Sequence, residues 1–129
     1  IAGLFAIIGH VFPIYYGFKG GKGVLVGVST FLIVDIKVFI ALIAIFAVIL
    51  AITKYVSLAS IIATAYCPIA TLLMSWIVND NSFGRSFLYM ILSIPMSGII
   101  IWMHRTNIER LMAGTENKFS FNTVDMSEK

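Results

Sequence analysis

The sequence predicts an all-α protein, a polytopic transmembrane helix bundle of about five spans. Of its 129 residues, 60% are hydrophobic and only 12% are charged, and the mean hydropathy is +0.99. A domain of this size keeps most of its residues near its surface, so a chain this apolar requires lipid rather than water around it. The charged residues are also clustered, which leaves several long stretches without Asp, Glu, Lys or Arg.

Four uncharged stretches are close to the ~20 residues that a helix needs to cross hydrocarbon, and they cover residues 1–18, 38–53, 55–79 and 86–103. A fifth apolar segment, 24–34, is shorter. At ~1.5 Å per residue it falls well short of a ~30 Å hydrocarbon core. We expect it to cross only if one end opens into a protein-lined aqueous recess, and a re-entrant segment is the alternative.

Five spans would place successive loops on alternate sides of the membrane, and the positive charges separate accordingly. One side would carry only Lys37 and Arg85, and the other would carry Lys19, Lys22, Lys54, Arg105, Arg110 and Lys118. The positive-inside rule assigns the more cationic side to the cytoplasm. The net charge of +3 is too small and too dispersed for a nucleic-acid interface.

The composition becomes polar after Gly114, so we expect a transmembrane domain over 1–114 and a cytoplasmic tail over 115–129. The chain begins at Ile1 inside an apolar run, without an initiator Met, a basic n-region or a cleavage site, and we expect it to be truncated at its N terminus. The single Cys67 excludes an internal disulfide. The spacing of histidines and Cys67 does not resemble a metal site.

The first polar constellation is a glycine-rich, cationic loop that precedes the short apolar segment and contains Lys19, Gly20, Gly21, Lys22 and Gly23. Glycines let the backbone approach a ligand closely, and successive amides before a helix N terminus form an anion-binding concavity. A phosphate group fits such a loop. The spacing excludes a Walker A loop, since Tyr16 stands where the first glycine is required. The alternative is a flexible loop whose lysines only set topology or touch anionic lipid.

Gly9 and His10 lie just before this loop and are supporting candidates for the site. For His10, a packing role on an apolar face is the alternative to a functional one, although ionisable groups at membrane depth are often functional. Hydroxyl residues in the spans, such as Ser57 and Ser97, are interpreted as helix-packing residues because none has a His and an acid nearby in sequence.

The second constellation follows the last apolar stretch. If the helix continues past the interface, His104 and Asn107 share one face, since residues three apart are neighbours. A histidine near its neutral pKa at the water boundary is suited to general-base chemistry. Arg105 and Glu109 are spaced for an ion pair, and Gly114 is placed to end the helix. A solvated juxtamembrane helix whose arginines fix orientation is the alternative.

Two strings, GHVFPIYYGFKGGKG and HRTNIERLMAGTENK, occur in that order and are separated by apolar spans. They resemble the second and third signature motifs of the bacterial acyl-phosphate:glycerol-3-phosphate acyltransferase family, and TKYVSLASI is similar to the family's interspan string. The resemblance covers essentially the whole chain, as the C-terminal larger part of a seven-span protein. It implies an inner-membrane enzyme with a cytoplasmic active site and no cofactor.

The resemblance also implies the reaction, which is the first step of bacterial phospholipid synthesis. A fatty acyl group moves from acyl phosphate to the sn-1 hydroxyl of glycerol 3-phosphate, which gives lysophosphatidic acid. The partners implied are these two substrates and membrane lipid. Because acyl phosphate is already an activated anhydride, the enzyme must mainly position two substrates and neutralise phosphate charge.

Residue by residue, the resemblance places Gly9 and the loop from Lys19 to Gly23 on the family's glycerol-3-phosphate loop. It places His104, Asn107 and Glu116 on the third motif, where the His and Asn are needed for activity and the Glu is structural. We hypothesise that His104 accepts or relays the proton of the sn-1 hydroxyl while Asn107 orients a substrate, and the substrate phosphate is the alternative base.

This sequence departs from the family pattern in two places. Leu25 and Val26 stand where the family usually has Ala-Thr, and the first motif, a Ser-Gly-Asn stretch ending in an Arg, is absent.

Two other functions remain open alternatives. One is a membrane transporter, although the charged groups gather at one face rather than at mid-membrane. The other is a scaffold fragment that is inactive without the first motif.

Overall fold

The computed structural model describes residues 1–17 and 20–120, and this part of the chain is helical, with no strand. A short 3₁₀ turn, Ile14–Tyr16, follows the first helix, and a π-helical turn, Met74–Val78, extends the fourth. The six α-helices are α1 Ala2–Val11, α2 Val24–Val34, α3 Ile36–Thr53, α4 Val56–Leu73, α5 Phe83–Met103 and α6 Arg105–Met112. The predicted all-α class is confirmed.

Three helical segments are long and apolar enough to cross a membrane, namely Ile36–Thr53, Val56–Val78 and Phe83–Met103. The other two apolar helices, α1 and α2, have 10 and 11 residues. The protein is therefore a multi-pass membrane protein with three full spans and two short helices in the described chain. The first helix is shorter than the stretch 1–18, because Pro13 lacks an amide hydrogen and disfavours helical backbone at Phe12.

Helix α4 lies between α3 and α5, α2 packs on α3, and α1 packs on α2 and α5. The face of α4 turned to its neighbours is made of small residues, which lets helices approach closely in lipid. These buried residues are Ser57, Ala59, Ser60, Ala63, Thr64, Cys67, Ala70 and Thr71. The larger side chains of the core come from the surrounding helices, among them Ile7, Phe31, Leu42, Met96 and Ile100.

A polar clasp joins the two turns at one end of the bundle. Asp35 Oδ1 accepts hydrogen bonds from the amides of Lys37 (3.0 Å) and Val38 (3.4 Å), so it caps α3. Asn79 Nδ2 donates to Asp35 Oδ2 (2.8 Å), and Lys37 Nζ donates to Asn79 Oδ1 (2.6 Å). The turn between α2 and α3 is thereby tied to the turn between α4 and α5.

We predict that Asp35→Ala lowers the stability of the protein by about 1 kcal/mol, the usual cost of losing a helix cap. Asn79 would also lose its carboxylate partner. Thermal unfolding in detergent measures the effect. The matched control is Asp80→Asn, which removes one exposed carboxylate from the same end without touching the clasp. Equal melting temperatures for the two variants would contradict the prediction.

Candidate active site

A one-residue break between α5 and α6 positions the first site residue, His104. Its backbone has φ −92° and ψ 6°, and its amide donates to Ile101 O (2.9 Å) instead of continuing the α-helical pattern. The side chain is 2% exposed, and Nδ1 lies 2.8 Å from Ile100 O. Because a carbonyl oxygen only accepts, Nδ1 carries the hydrogen and Nε2 of the neutral ring is left as an acceptor.

The surroundings of His104 favour its neutral form. Burial lowers its pKa from the ordinary value of 6.5, and the positive charge of Lys22 lowers it further, while the Ile100 carbonyl and Glu116 act in the opposite direction. The imidazole is therefore neutral near pH 7 and available as a proton acceptor.

Asn107 lies one turn further along, on α6, and is 4% exposed. Its Nδ2 donates to Glu116 Oε1 (2.7 Å), and Glu116 Oε2 accepts from Arg110 Nε (2.8 Å). Because a carboxylate only accepts, this contact fixes the orientation of the amide. Asn107 Oδ1 is then left buried, with no hydrogen-bond partner in the described part of the chain.

Glu116 is held as a carboxylate by its neighbours. The hydrogen bond from Arg110 is the largest cause, followed by the hydroxyl of Ser57 and the amide of Asn107, and together they lower the pKa of Glu116 from 4.5 to about 2. The side chain of Glu116 is 9% exposed, whereas that of Arg110 is 48% exposed. Glu116 therefore stays ionised and keeps Asn107 in one orientation across the physiological pH range.

The glycine-rich loop lies against the end of α1. The Gly20 amide donates to Val11 O (3.2 Å), and a Cβ on Gly20 would overlap the carbonyl of His10. A Cβ on Gly21 would overlap the His10 imidazole. Gly23 caps α2 with φ +79°, a left-handed conformation that glycine adopts without strain, and it is buried against α1 and α5. Lys19 lies outside the described residues.

One cavity of about 660 Å³ joins the two polar constellations. The ionisable and amide groups lie at one end of it, which we call the mouth, where His10, Lys22, His104, Asn107 and Glu116 all contribute to the lining. The rest of the wall is mostly apolar and comes from α2, α3, α4 and α5. The structure thus brings a cation, a neutral imidazole and a free amide oxygen to one end of a largely apolar cavity.

Two of the supporting candidates lie away from this cavity. Gly9 is exposed, with open space where a Cβ would be. The guanidinium of Arg105 stacks 4.4 Å from the centre of the Trp102 ring, and NH1 donates to Trp102 O (3.3 Å). The expected pair of Arg105 with Glu109 is wrong, since Arg105 turns back to Trp102 and the described ion pair joins Arg110 to Glu116. The predicted role of Gly114 as a helix terminator is confirmed by its φ of +70°.

Sequence reasoning missed the hydroxyl groups in the cavity wall. Ser57, Ser60 and Thr64 lie three and four residues apart on α4, and all three line the cavity. Ser57 and Ser97 are both buried, and the Ser57 hydroxyl lies close enough to Glu116 to help lower its pKa. Packing does explain Ser75, which accepts a hydrogen bond from Ser86 (3.0 Å). The three-and-four spacing of small polar residues on α4 is the signal that identifies the cavity face.

Within residues 1–17 and 20–120, no group of three His, Cys, Asp or Glu side chains could hold a metal ion. The polar side chains that line the cavity are a lysine, two histidines, an amide, a carboxylate and hydroxyls. Together, the fold and the site define a multi-pass membrane protein with a polar site at the mouth of a cavity whose lining is mostly apolar.

Comparison with known proteins identifies which membrane family this is. The family model for glycerol-3-phosphate acyltransferase matches residues 1–114, so the chain belongs to that family. The glycerol-3-phosphate acyltransferase of Staphylococcus saprophyticus is 44% identical over 121 residues, which are 94% of this chain and 55% of that protein. The corresponding protein of Fusobacterium nucleatum is 42% identical over 121 residues, 94% of this chain and 58% of its own length.

Two solved structures of PlsY (YgiH), an integral membrane glycerol 3-phosphate acyltransferase, have the same fold. Its glycerol 3-phosphate form aligns with a TM-score of 0.75 and 33% identity, covering 92% of this chain and 55% of that one. Its lysophosphatidic acid form aligns with a TM-score of 0.72 and 32% identity, covering 88% and 54%. The chain thus spans about half the length of the relatives it matches.

We predict that Glu116→Gln destabilises the protein in a pH-dependent way. The folded-state pKa of Glu116 lies near 2, below the ordinary 4.5, so its stabilising effect is fully present above about pH 4.5 and is lost as the pH falls towards 2. The melting temperatures of wild type and variant, measured in detergent, should therefore differ at neutral pH and converge in acid. Glu109→Gln, at an exposed position of α6, is the control. A difference that does not change with pH would contradict the prediction.

Proposed function

We propose that this chain is the C-terminal part of an acyl-phosphate:glycerol-3-phosphate acyltransferase. The proposed reaction transfers a fatty acyl group from acyl phosphate to the sn-1 hydroxyl of glycerol 3-phosphate and yields lysophosphatidic acid. The observation that carries the proposal is that Lys22, His104 and Asn107 line the polar mouth of one apolar cavity. A soluble phosphate ester and a lipid-borne acyl donor would meet at such a place.

The glycerol 3-phosphate site is proposed at the loop of Lys19, Gly20, Gly21, Lys22 and Gly23. Lys22 is an exposed residue at the cavity mouth, so its ammonium is free to neutralise a dianion. Gly20 and Gly21 have no side chain between the loop backbone and α1, which is what allows the loop to lie so close to His10. The loop precedes α2, whose N terminus adds to the favourable field for an anion.

In the proposed mechanism, His104 Nε2 accepts the proton of the sn-1 hydroxyl as the hydroxyl oxygen attacks the acyl carbonyl carbon. A carbon–oxygen ester bond forms, the bond from that carbon to the phosphate oxygen breaks, and inorganic phosphate leaves with the bonding electrons. The imidazolium then passes its proton to the departing phosphate or to water. Asn107 Oδ1, held free by Glu116, accepts a hydrogen bond from a substrate hydroxyl and orients it.

The proposed location is the bacterial inner membrane, with the site facing the cytoplasm. The cavity mouth carries Lys22, and Arg110 is bound to the Glu116 that lines it, whereas Lys37 belongs to the clasp at the opposite turns. This distribution supports the cytoplasmic orientation. The proposed division into a transmembrane domain over 1–114 and a polar tail over 115–129 is compatible with Glu116 reaching back to the site. The transporter alternative gains no support, because the ionisable cavity residues lie at the mouth rather than at mid-membrane.

The donor is tested by measuring transfer to radiolabelled glycerol 3-phosphate in the complete gene product. Palmitoyl phosphate is compared with palmitoyl-CoA and palmitoyl acyl-carrier protein, and the lipid product is identified by mass. We expect transfer from the acyl phosphate, because this donor is already an activated anhydride and the site does not have to activate it. Activity with the thioesters alone would contradict the proposal. The 129-residue chain assayed in parallel tests whether it is an inactive scaffold by itself.

We predict that substitutions at the mouth divide into two kinetic classes. Lys22→Ala should raise the KM for glycerol 3-phosphate roughly tenfold to hundredfold, since a hydrogen bond to a charged group contributes about 1.5–3 kcal/mol. His104→Gln should instead lower kcat by roughly 10²- to 10⁴-fold, as expected for loss of a general base. Gly98→Ala, at an open position on α5, is the control. Near-normal kcat in His104→Gln would reject His104 as the base.

We also predict that Lys22 contributes to the pH dependence of the reaction, beside the larger effect of burial. The pKa of His104 lies below 6.5, so the acid limb of kcat/KM should lie below pH 6.5. In Lys22→Met the limb should move upwards, because a cation that disfavours the imidazolium has been removed. Lys118→Met removes a charge that contacts Tyr55 instead and should leave the limb in place. Identical limbs in the wild type and Lys22→Met would contradict the coupling.

A further inference from the structure

The cavity that begins at the polar mouth has a definite depth. Along α4 its lining runs from Val56 to Cys67, and at ~1.5 Å per residue this is about 17 Å. Along α5 it runs from His104 back to Met96, or about 12 Å by the same measure. The cavity therefore reaches about half-way through a ~30 Å hydrocarbon core.

A second cavity, of about 480 Å³, lies beyond this depth and extends towards the clasp at Asp35 and Asn79. Among the described residues, only Phe31 and Met96 line both cavities. Each is 8% exposed and belongs to the hydrophobic core. These two side chains, from α2 and α5, therefore form a wall that separates the two cavities; we call this pair the partition.

Gly27 keeps the first cavity open on the way to the partition. It lies on the same face of α2, four residues after Gly23 and four before Phe31. A Cβ on Gly27 would come within 2.8 Å of Ile100 Cδ1, on the opposite wall. A larger residue there would narrow the cavity above the partition.

We propose that the partition of Phe31 and Met96 sets the longest acyl chain that the site accepts. The inference rests on the proposed function, since it requires an acyl group whose carbonyl carbon is held between Lys22 and His104. The acyl chain can then follow the apolar lining inwards along α2 and α4, and the partition lies at the end of that path. Each methylene that fits contributes burial energy, whereas a longer chain must displace packed core side chains.

The test compares donor preferences in the complete gene product. The kcat/KM of wild type and Phe31→Ala is measured with saturated acyl phosphates from decanoyl to eicosanoyl. Removing the ring joins the two cavities, so the acyl chain length with the highest kcat/KM should increase. We expect kcat/KM to rise about fourfold for each additional methylene that becomes buried. Gly27→Val should move the optimum to shorter chains.

Phe39→Ala is the matched control, since Phe39 packs on the same core from α3 and lines neither cavity. It deletes the same atoms and should leave the preference unchanged. If Phe31→Ala does not fold, as judged by gel filtration and thermal unfolding in detergent, Phe31→Leu and Met96→Ala open the partition less severely. Both should still favour longer chains.

An unshifted preference in folded, active variants of Phe31 and Met96 would overturn the inference, because it would mean that the chain leaves the cavity before the partition. Absence of transfer from every acyl phosphate by the unsubstituted protein would contradict the proposed function itself. The two failures are therefore distinguishable in one data set.

Discussion

The close approach of α1, α2 and α5 around Gly23 is the constraint on which the rest of the structure depends. Ile7, Val11 and Ile100 converge on this glycine, where a Cβ would lie only 3.2–3.4 Å from their side chains, and its left-handed backbone begins α2. Because Ile100 precedes His104 by one helical turn, the same contact sets the imidazole beside the cationic loop. In lipid, where apolar helices gain little from burying apolar surface against one another, such close packing is what fixes their relative position.

The sequence was sufficient for the fold class, because that depends on local properties. It also named His10, Lys22, His104, Asn107 and Glu116, which the structure gathers around one cavity. Uncharged stretches of sufficient length define α3, α4 and α5, and Pro13 and Gly114 mark helix ends. The break at His104 was not predictable, since nothing in HRTN distinguishes a one-residue turn from a continuing helix. The contact of Arg105 with Trp102 was not predictable either, because the spacing of Arg105 and Glu109 favours an ion pair between them. The hydroxyls of the cavity required the positions of neighbouring helices before their exposure to it was visible.

The two ends of the bundle use polar groups for different purposes. At the clasp, Asp35, Lys37 and Asn79 satisfy one another, so their charges and amides stabilise two turns. At the cavity mouth, the Glu116 network satisfies only one side of the Asn107 amide and leaves its oxygen free. Buried polar atoms without a partner cost free energy. The free Asn107 oxygen beside the cavity therefore supports the proposed role of this amide in orienting a substrate.

The polar segment after Gly114 has a practical consequence for handling the protein. The family match ends at residue 114, yet Glu116 reaches Asn107 and Arg110, and the Phe119 amide donates to Lys54 O (2.6 Å). The folded unit thus extends beyond residue 114, where the family match ends. An affinity tag or fluorescent reporter inserted at residue 114 would separate Glu116 and Phe119 from the helices they contact and release the Asn107 amide, so a fusion has to leave residues 115–120 in place.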